Sequence, residues 1–313
     1  MVLTLENKRL IFVGGKGGVG KSTTSAAIAL HLSEIIRQTG QHGKILLFST
    51  DPAHSIGDSF NVKIGETPVR ITDTLDAVEI DASHLMGEFK DEHKTAIQEL
   101  LTKTASLNEQ EAEHALELAI PGIDEFMALV KVSTFIDNNE YNTICVDTAP
   151  TGHTLKLLST PNIVNSWLIF FSGLHNRYRG LMRTFMGTDP KNIDGFIKTL
   201  SDNIYRSYKL TTDKEKTEFL IVTIPDLMAI EETKRLMINL YSSGIKVNNI
   251  VINNVQPDNN NCVFCQARRQ HQNRYLNVIN VMYPDINKIY MPLFSTDING
   301  MGQLRSFENI LFG

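Results

Sequence analysis

Gly14-Gly15-Lys16-Gly17-Gly18-Val19-Gly20-Lys21-Ser22-Thr23 follows directly on the apolar run Leu10-Ile11-Phe12-Val13, and the reading of this junction decides the fold. Gly15, four intervening residues, then Gly20, Lys21 and Ser22 meet the Walker A spacing, and each position has a physical reason. The glycines at 15, 17, 18 and 20 let successive backbone N–H groups turn inward as an anion nest that a β-carbon would block. Lys21 brings a point charge to the β and γ phosphates of a nucleotide, and Ser22 offers a hydroxyl to Mg²⁺. The helix that begins there points its positive end at the same anions. The segment Ser25-Ala-Ala-Ile-Ala-Leu-His-Leu-Ser-Glu-Ile-Ile-Arg37 has helical apolar spacing, so strand, loop and helix occur in the order the motif requires.

Lys16 is a second lysine inside the loop, five residues before Lys21. Two ammonium groups so placed repel unless both face a polyphosphate. The extra lysine resembles the signature of the deviant Walker A ATPases, which implies that it reaches across a dimer interface to the partner's nucleotide.

The chain of 313 residues is long enough for one large α/β domain with an elaboration. A net charge of −5 and a pI near 6.0 give no electrostatic footprint for nucleic acid, so no nucleic-acid partner is expected. Three cysteines do not make a disulfide framework, and Met1-Val-Leu-Thr-Leu-Glu-Asn-Lys8 lacks the pattern of a secretion signal. A cytoplasmic protein is expected. No apolar run approaches the roughly 20 residues that cross a bilayer. There is no internal repeat, which argues against two fused copies of one ATPase.

Further apolar runs lead to acidic residues. Ile45-Leu46-Leu47-Phe48-Ser49-Thr50 ends at Asp51-Pro-Ala-His54, and Glu140-Tyr-Asn-Thr-Ile-Cys-Val-Asp147 ends at Asp147-Thr-Ala-Pro-Thr-Gly-His-Thr-Leu155. In a doubly wound sheet the carboxyl ends of the strands line one crevice, which puts Asp51 and Asp147 on the rim of the phosphate loop. A carboxylate at 51 could polarise the attacking water, although Asp-Pro after a strand also makes a turn or a cap. Asp147 could hold Mg²⁺ directly or through water, with Gly152 nearby to sense the γ phosphate. His153 reads as a hydrogen-bonded switch residue, since nothing near it would orient it as a base. Ala77 to Asp81, Glu218 to Asp226, Lys246 to Asn254 and Lys288 to Phe294 are also predicted strands, and Ala229 to Ser242 is a predicted helix.

Strands alternating with helices predict an α/β fold whose parallel sheet is flanked by helices. Residues 1–82, 137–159 and 216–313 are assigned to this P-loop nucleotide-binding domain. Residues 83–136 and 160–215 have helical spacing, broken at Pro121-Gly122, and are assigned to an inserted helical subdomain. Ile163, Val164, Trp167, Leu168, Phe170 and Phe171, continuing to Met186, make a stripe wide for a helix with one face to bury. It reads either as a core helix or as a groove for a hydrophobic segment.

Cys262-Val-Phe-Cys265 places two thiols where they can clip a metal or form a redox pair. Structural zinc wants four ligands, and Cys145 is expected to pack in its strand as a small hydrophobe, while His271 is a weak third ligand. The simplest completed tetrahedron takes Cys262 and Cys265 from each of two chains around one Zn²⁺ on a two-fold axis. A homodimer is therefore asked for twice, by this pair and by Lys16.

The phosphate loop, Ser49-Thr-Asp-Pro-Ala-His54, Pro121-Gly-Ile-Asp-Glu125, the Asp147 to Leu155 segment and Cys262-x-x-Cys265-Gln-Ala-Arg268 occur in this order. Together they resemble the cytosolic ATPases that target tail-anchored membrane proteins, relatives of the arsenical pump-driving ATPases. The resemblance covers nearly the whole chain, and the cysteine pair followed by Gln-Ala-Arg looks like the targeting branch. It implies ATP bound by Gly15 to Thr23, with Mg²⁺ and Zn²⁺ as cofactors. Lys16 would reach into the partner and contribute to catalysis with Lys21, and Asp51 would position the hydrolytic water. Asn253 would read adenine, with Pro292 closing over the base. Asp226 stands where that family more usually has glutamate, in a contact to the opposite nucleotide. The implied partners are the transmembrane helices of tail-anchored clients, held in a groove between paired helical subdomains, and a receptor at the membrane. Two alternatives stay open: an ATPase that drives oxyanion export, and a holdase exposed when Cys262 and Cys265 oxidise.

Overall fold

Eight strands form one sheet among the described residues: β1 (Leu10–Gly14), β2 (Ile45–Ser49), β3 (Val69–Thr72), β4 (Leu75–Glu79), β5 (Thr143–Asp147), β6 (Thr217–Thr223), β7 (Val247–Val255) and β8 (Asn287–Pro292). The computed structural model describes residues 3–51, 55–81, 84, 85, 87, 88, 91, 123–148, 173, 176, 191–259 and 261–313. The strand order is β3-β4-β2-β5-β1-β6-β7-β8, parallel throughout except at β3, which runs antiparallel to β4 at one edge. The expected parallel sheet thus carries one strand that sequence reading passed over. Val69–Thr72 is short, half-exposed and interrupted by a bulge, so it has no apolar run to announce it.

The central strands are buried on both faces, and the two-residue alternation of a strand divides their side chains between two core layers. On one side Ile11, Val13, Leu47, Cys145, Leu220 and Val251 pack with α1 (Lys21–Thr39), α2 (Ser55–Phe60) and, at the C-terminus, Leu304, Phe307 and Leu311. On the other side Leu10, Phe12, Phe48, Val146, Ile221 and Ile252 pack under a second set of helices. Phe12 stacks on Phe219 with ring centroids 4.6 Å apart, joining β1 to β6 at the middle of this layer.

The second layer includes α3 (Ile123–Asp137) and α4 (Lys191–Thr212), which touch through Ser133 Oγ and Ser207 Oγ at 3.0 Å and through Arg206 and Asp137 at 3.2 Å. Ala128, Leu129 and Val132 join the sheet's own core, and Phe135 packs edge-on against Phe48. The ends of the helical blocks nearest the sheet are therefore built into its packing. The Pro121-Gly122 break, the Gly152-His153 pair and the apolar stripe from Ile163 to Met186 lie outside the described residues.

Three helices complete the chain: α5 (Leu227–Ser242), α6 (Val263–Met282) and α7 (Met301–Phe312). The observed α5 begins two residues before the predicted one. α6 buries only Gln272, Leu276 and Ile279, a face too narrow and too polar to stand out as an amphipathic pattern. α7 packs on α1, where His31 stacks on Phe312 and its Nδ1 lies 3.0 Å from Glu308 Oε1.

Candidate functional site

The phosphate loop leaves the carboxyl end of β1, between β5 and β6, and its glycines answer to specific geometry. A Cβ on Gly15 would lie 2.1 Å from the Val222 carbonyl oxygen on β6, so the loop passes too close to the sheet for any side chain there. Gly18 has φ +77° and Gly20, the N-cap of α1, has φ +96°, a left-handed region that other residues enter at a cost. Gly17 and Gly18 are exposed, Lys16 is half-buried, and Val19 is buried. Lys21 is 4% exposed, and its Nζ donates to the Lys16 carbonyl at 3.3 Å.

Lys21 sits against the two aspartates expected from sequence. Burial holds its ammonium below the usual lysine range, while the charges of Asp147, Asp51 and Glu232 pull it back up. Asp147 has no exposed surface, and burial pushes its carboxyl up to about 7 against the hydroxyls of Ser22 and Ser25 and the charge of Lys21. Its Oδ1 is buried without a hydrogen-bond partner among the described residues, as is Thr50 Oγ1 next to the same rim. Buried, unpaired carboxylate oxygen beside a serine hydroxyl and an ammonium is the donor chemistry that a hard divalent cation completes, so Ser22 and Asp147 fit the expected Mg²⁺.

Asp51 is half-buried at the end of β2, and its position is fixed by groups that sequence reading missed. Its backbone N–H donates to Ser49 Oγ at 3.1 Å, and that hydroxyl lies 3.5 Å from Asp147 Oδ2. The Thr50 N–H donates to the Asp147 carbonyl at 3.2 Å. At the start of α2, Glu79 accepts the N–H groups of Ile56 at 2.9 Å and Gly57 at 3.1 Å. Ser49 and Glu79 are paired in register on β2 and β4, so one point of the sheet holds both ends of the segment that starts at Asp51. Glu79, an acid in the middle of the predicted Ala77 to Asp81 strand, was the available signal.

The remaining candidates are spread along the same rim. Asn253 is 6% exposed near the end of β7, and its Nδ2 donates to the Val19 carbonyl at 2.9 Å. Pro292 closes β8, paired with Val255. Thr23 and Ser22 are half-buried in the first turn of α1. Asp226 caps α5, its Oδ1 accepting from Met228 N at 3.0 Å and Ala229 N at 3.3 Å, and it is exposed. That capping role needs only a short polar side chain, which aspartate supplies better than glutamate.

Cys262 and Cys265 are paired with each other as a disulfide, with Cα atoms 5.2 Å apart. They lie at the start of α6, where Cys262 is the N-cap and its Sγ accepts from Cys265 N at 3.2 Å. Among the described residues no three His, Cys, Asp or Glu side chains gather to hold a metal. His271 is exposed and stands edge-on to Tyr275 rather than with the cysteines. Paired with each other, the two sulfurs are not free as thiolates, and the expected Zn²⁺ has no ligand set among the described residues. Cys145 is buried in β5, and burial raises its thiol far above the ordinary range, as a packing residue requires.

The anion-transporting ATPase family matches residues 8–313. ATPase ASNA1 homolog 2 of Paramecium tetraurelia is 36% identical over 323 residues, which span 98% of this chain and 95% of that protein. ATPase GET3 of Candida glabrata is 33% identical over 324 residues, spanning 99% and 91%. The ATPase ASNA1 homolog of Dictyostelium discoideum is 34% identical over 323 residues, again spanning 99% and 91%.

Proposed function

Because the chain belongs to the anion-transporting ATPase family and is an ATPase, we propose that it couples ATP hydrolysis to the delivery of tail-anchored membrane proteins. The single observation that carries the chemistry is the buried Lys21 and Asp147 with Asp51 beside them on the rim of the phosphate loop. The backbone of Gly15 to Gly20 and the Lys21 ammonium bind and orient the phosphates. Ser22 and Asp147, directly or through water, would hold Mg²⁺, which would supply positive charge to the phosphates. Asp51 orients a water in line with the γ phosphate and takes its proton as the new bond to phosphorus forms and the bond from phosphorus to the β–γ bridging oxygen breaks, ADP leaving with that electron pair. Ser49 and Glu79 keep that carboxylate in reach.

Lys16 of one copy would reach the nucleotide of a second, so ATP would favour a closed homodimer and its hydrolysis would release it. Exposed apolar residues support such a face: Val263 is 83% exposed and Phe264 71%, both between the two cysteines. With the thiols reduced, two copies would bring four sulfurs to one Zn²⁺, a tether outside the hydrolytic steps. Asn253 would meet the adenine ring, with Pro292 over the base, and Asp226 would contact the opposite nucleotide from the end of α5. Residues 83–136 and 160–215 would carry the client groove, and a membrane receptor would take the client from it. No helix among the described residues is long and apolar enough to cross a membrane.

Co-expression with a tail-anchored protein tests this reading. A complex that remains out of the membrane and accumulates with Asp51→Asn is the expected result, and failure of the client to co-purify with either form would overturn it. The disulfide favours a second reading, an ATP-independent holdase, which requires client binding to the oxidised protein without nucleotide. Stimulation of hydrolysis by arsenite would instead point to oxyanion export.

A further inference from the structure

Asn253 connects two parts of the molecule 234 residues apart, donating its Nδ2 to the Val19 carbonyl at 2.9 Å. The contact is packed as well as bonded. A Cβ built on Gly20 would lie 2.3 Å from that Nδ2, so the amide fills the space a side chain at position 20 would take. Gly20 has φ +96° and ψ 31°, the left-handed turn from which α1 starts. With the chain turned this way the Val19 carbonyl points into the interior, where an acceptor without a donor would be costly. Asn253 is the donor.

The strand end that carries Asn253 is itself held. Asn254 has φ +56°, an uncommon conformation outside glycine. Gln272 on α6, 6% exposed, donates its Nε2 to the Asn254 carbonyl at 3.0 Å and accepts from Gln256 N at 2.8 Å. Arg269 Nη1 donates to the Gln256 carbonyl at 3.0 Å. The bend after Asn253 is thus held by two side chains of α6, Gln272 and Arg269.

We propose that Asn253 is a positioning residue for the phosphate loop: its amide, carried on a strand end that Gln272 holds at Asn254 and Gln256, fixes the Val19-Gly20 turn from which Lys21 and the loop N–H groups meet the phosphates. This role is separate from any contact with adenine, and it rests on the ATPase activity alone, not on the delivery reading. The distinction is measurable, because a residue that only reads the base has no effect on a ligand without one.

The test uses the full chain with Mg²⁺, comparing steady-state hydrolysis of ATP with inhibition by inorganic triphosphate, while melting curves confirm folding. Asn253→Ala should raise the triphosphate Ki and lower kcat by about tenfold each, the loss expected for one buried donor. Asn253→Asp keeps the volume, removes the donor and should do the same, and it replaces Asn253→Ala if that variant melts below the assay temperature. Gln272→Ala should move both quantities in the same direction by about threefold. The proposal is overturned if the Asn253 variants raise only the KM for ATP, leaving kcat and the triphosphate Ki within about twofold of wild type.

Discussion

Two of the carboxylates buried in the sheet, Glu218 and Asp147, lie at opposite ends of its strands and are treated differently. Glu218, 2% exposed at the start of β6, accepts from Asn248 Nδ2 at 2.9 Å and Asn249 Nδ2 at 3.0 Å, with Lys8 Nζ 4.0 Å away. Asn287 on β8 extends the ladder by donating to Asn249 Oδ1 at 2.9 Å. Asp147, fully buried at the end of β5, has one oxygen with no partner among the described residues, and burial lifts its carboxyl to about 7. The first arrangement joins three strands and asks for nothing more. The second is held in a costly state by its surroundings, which marks it for a ligand rather than for stability.

The largest expected effect separates the two directly. Asp147→Asn should lower Mg²⁺-dependent hydrolysis by about a hundredfold or more, since the cation loses its buried anionic ligand. The same change should raise the melting temperature of the nucleotide-free protein in chelator at pH 8 by about 2 °C or more, because the ionised carboxylate is no longer desolvated. A lower melting temperature would erase the contrast. Glu218→Ala should reverse the pattern, destabilising by about 3 kcal/mol as two amide donors lose their acceptor, with kcat changed less than about twofold.

Smaller effects sharpen the division between structural and chemical acids. Asp226→Ala should cost about 1 kcal/mol from the lost cap on α5, and Asp226→Asn should restore it, as chemical denaturation would register. If Asp226→Asn instead lowers hydrolysis while stability is kept, the contact to the opposite nucleotide carries the residue. The smallest effect is at the surface. His84 is raised above the ordinary 6.5 chiefly by its hydrogen bond to Glu66, and next by that residue's charge. The pair's contribution is full below 6.5 and is lost as pH rises through the folded-state value. In an NMR titration Glu66→Gln should bring His84 back toward 6.5; an unchanged midpoint would remove Glu66 as the cause.

What could be read in the chain follows the same division. Strand, glycine loop, Lys21 and the two rim aspartates were legible because each is local: an apolar run, then glycines or an acid at its carboxyl end, although Asp51 also allowed a turn or a cap. Ser49, Glu79 and Asn253's grip on Val19 were not, because each acts on a segment distant in sequence or through a backbone group. The Glu218 ladder was hidden for the same reason, its partners lying on β7. β3 and α6 escaped notice through their polarity, since an edge strand and a shallowly packed helix need little apolar surface. The disulfide at Cys262 and Cys265 was one of the outcomes the spacing allowed, and spacing does not choose between oxidised sulfur and metal.

Single-turnover hydrolysis by Asp51→Asn tests the central claim most directly. Nucleotide binding should stay within about twofold of wild type while the rate of γ-phosphate cleavage falls by about a hundredfold, within the range for a lost general base. Cleavage at the wild-type rate would remove Asp51 from the chemistry and leave the rim without its water-orienting group.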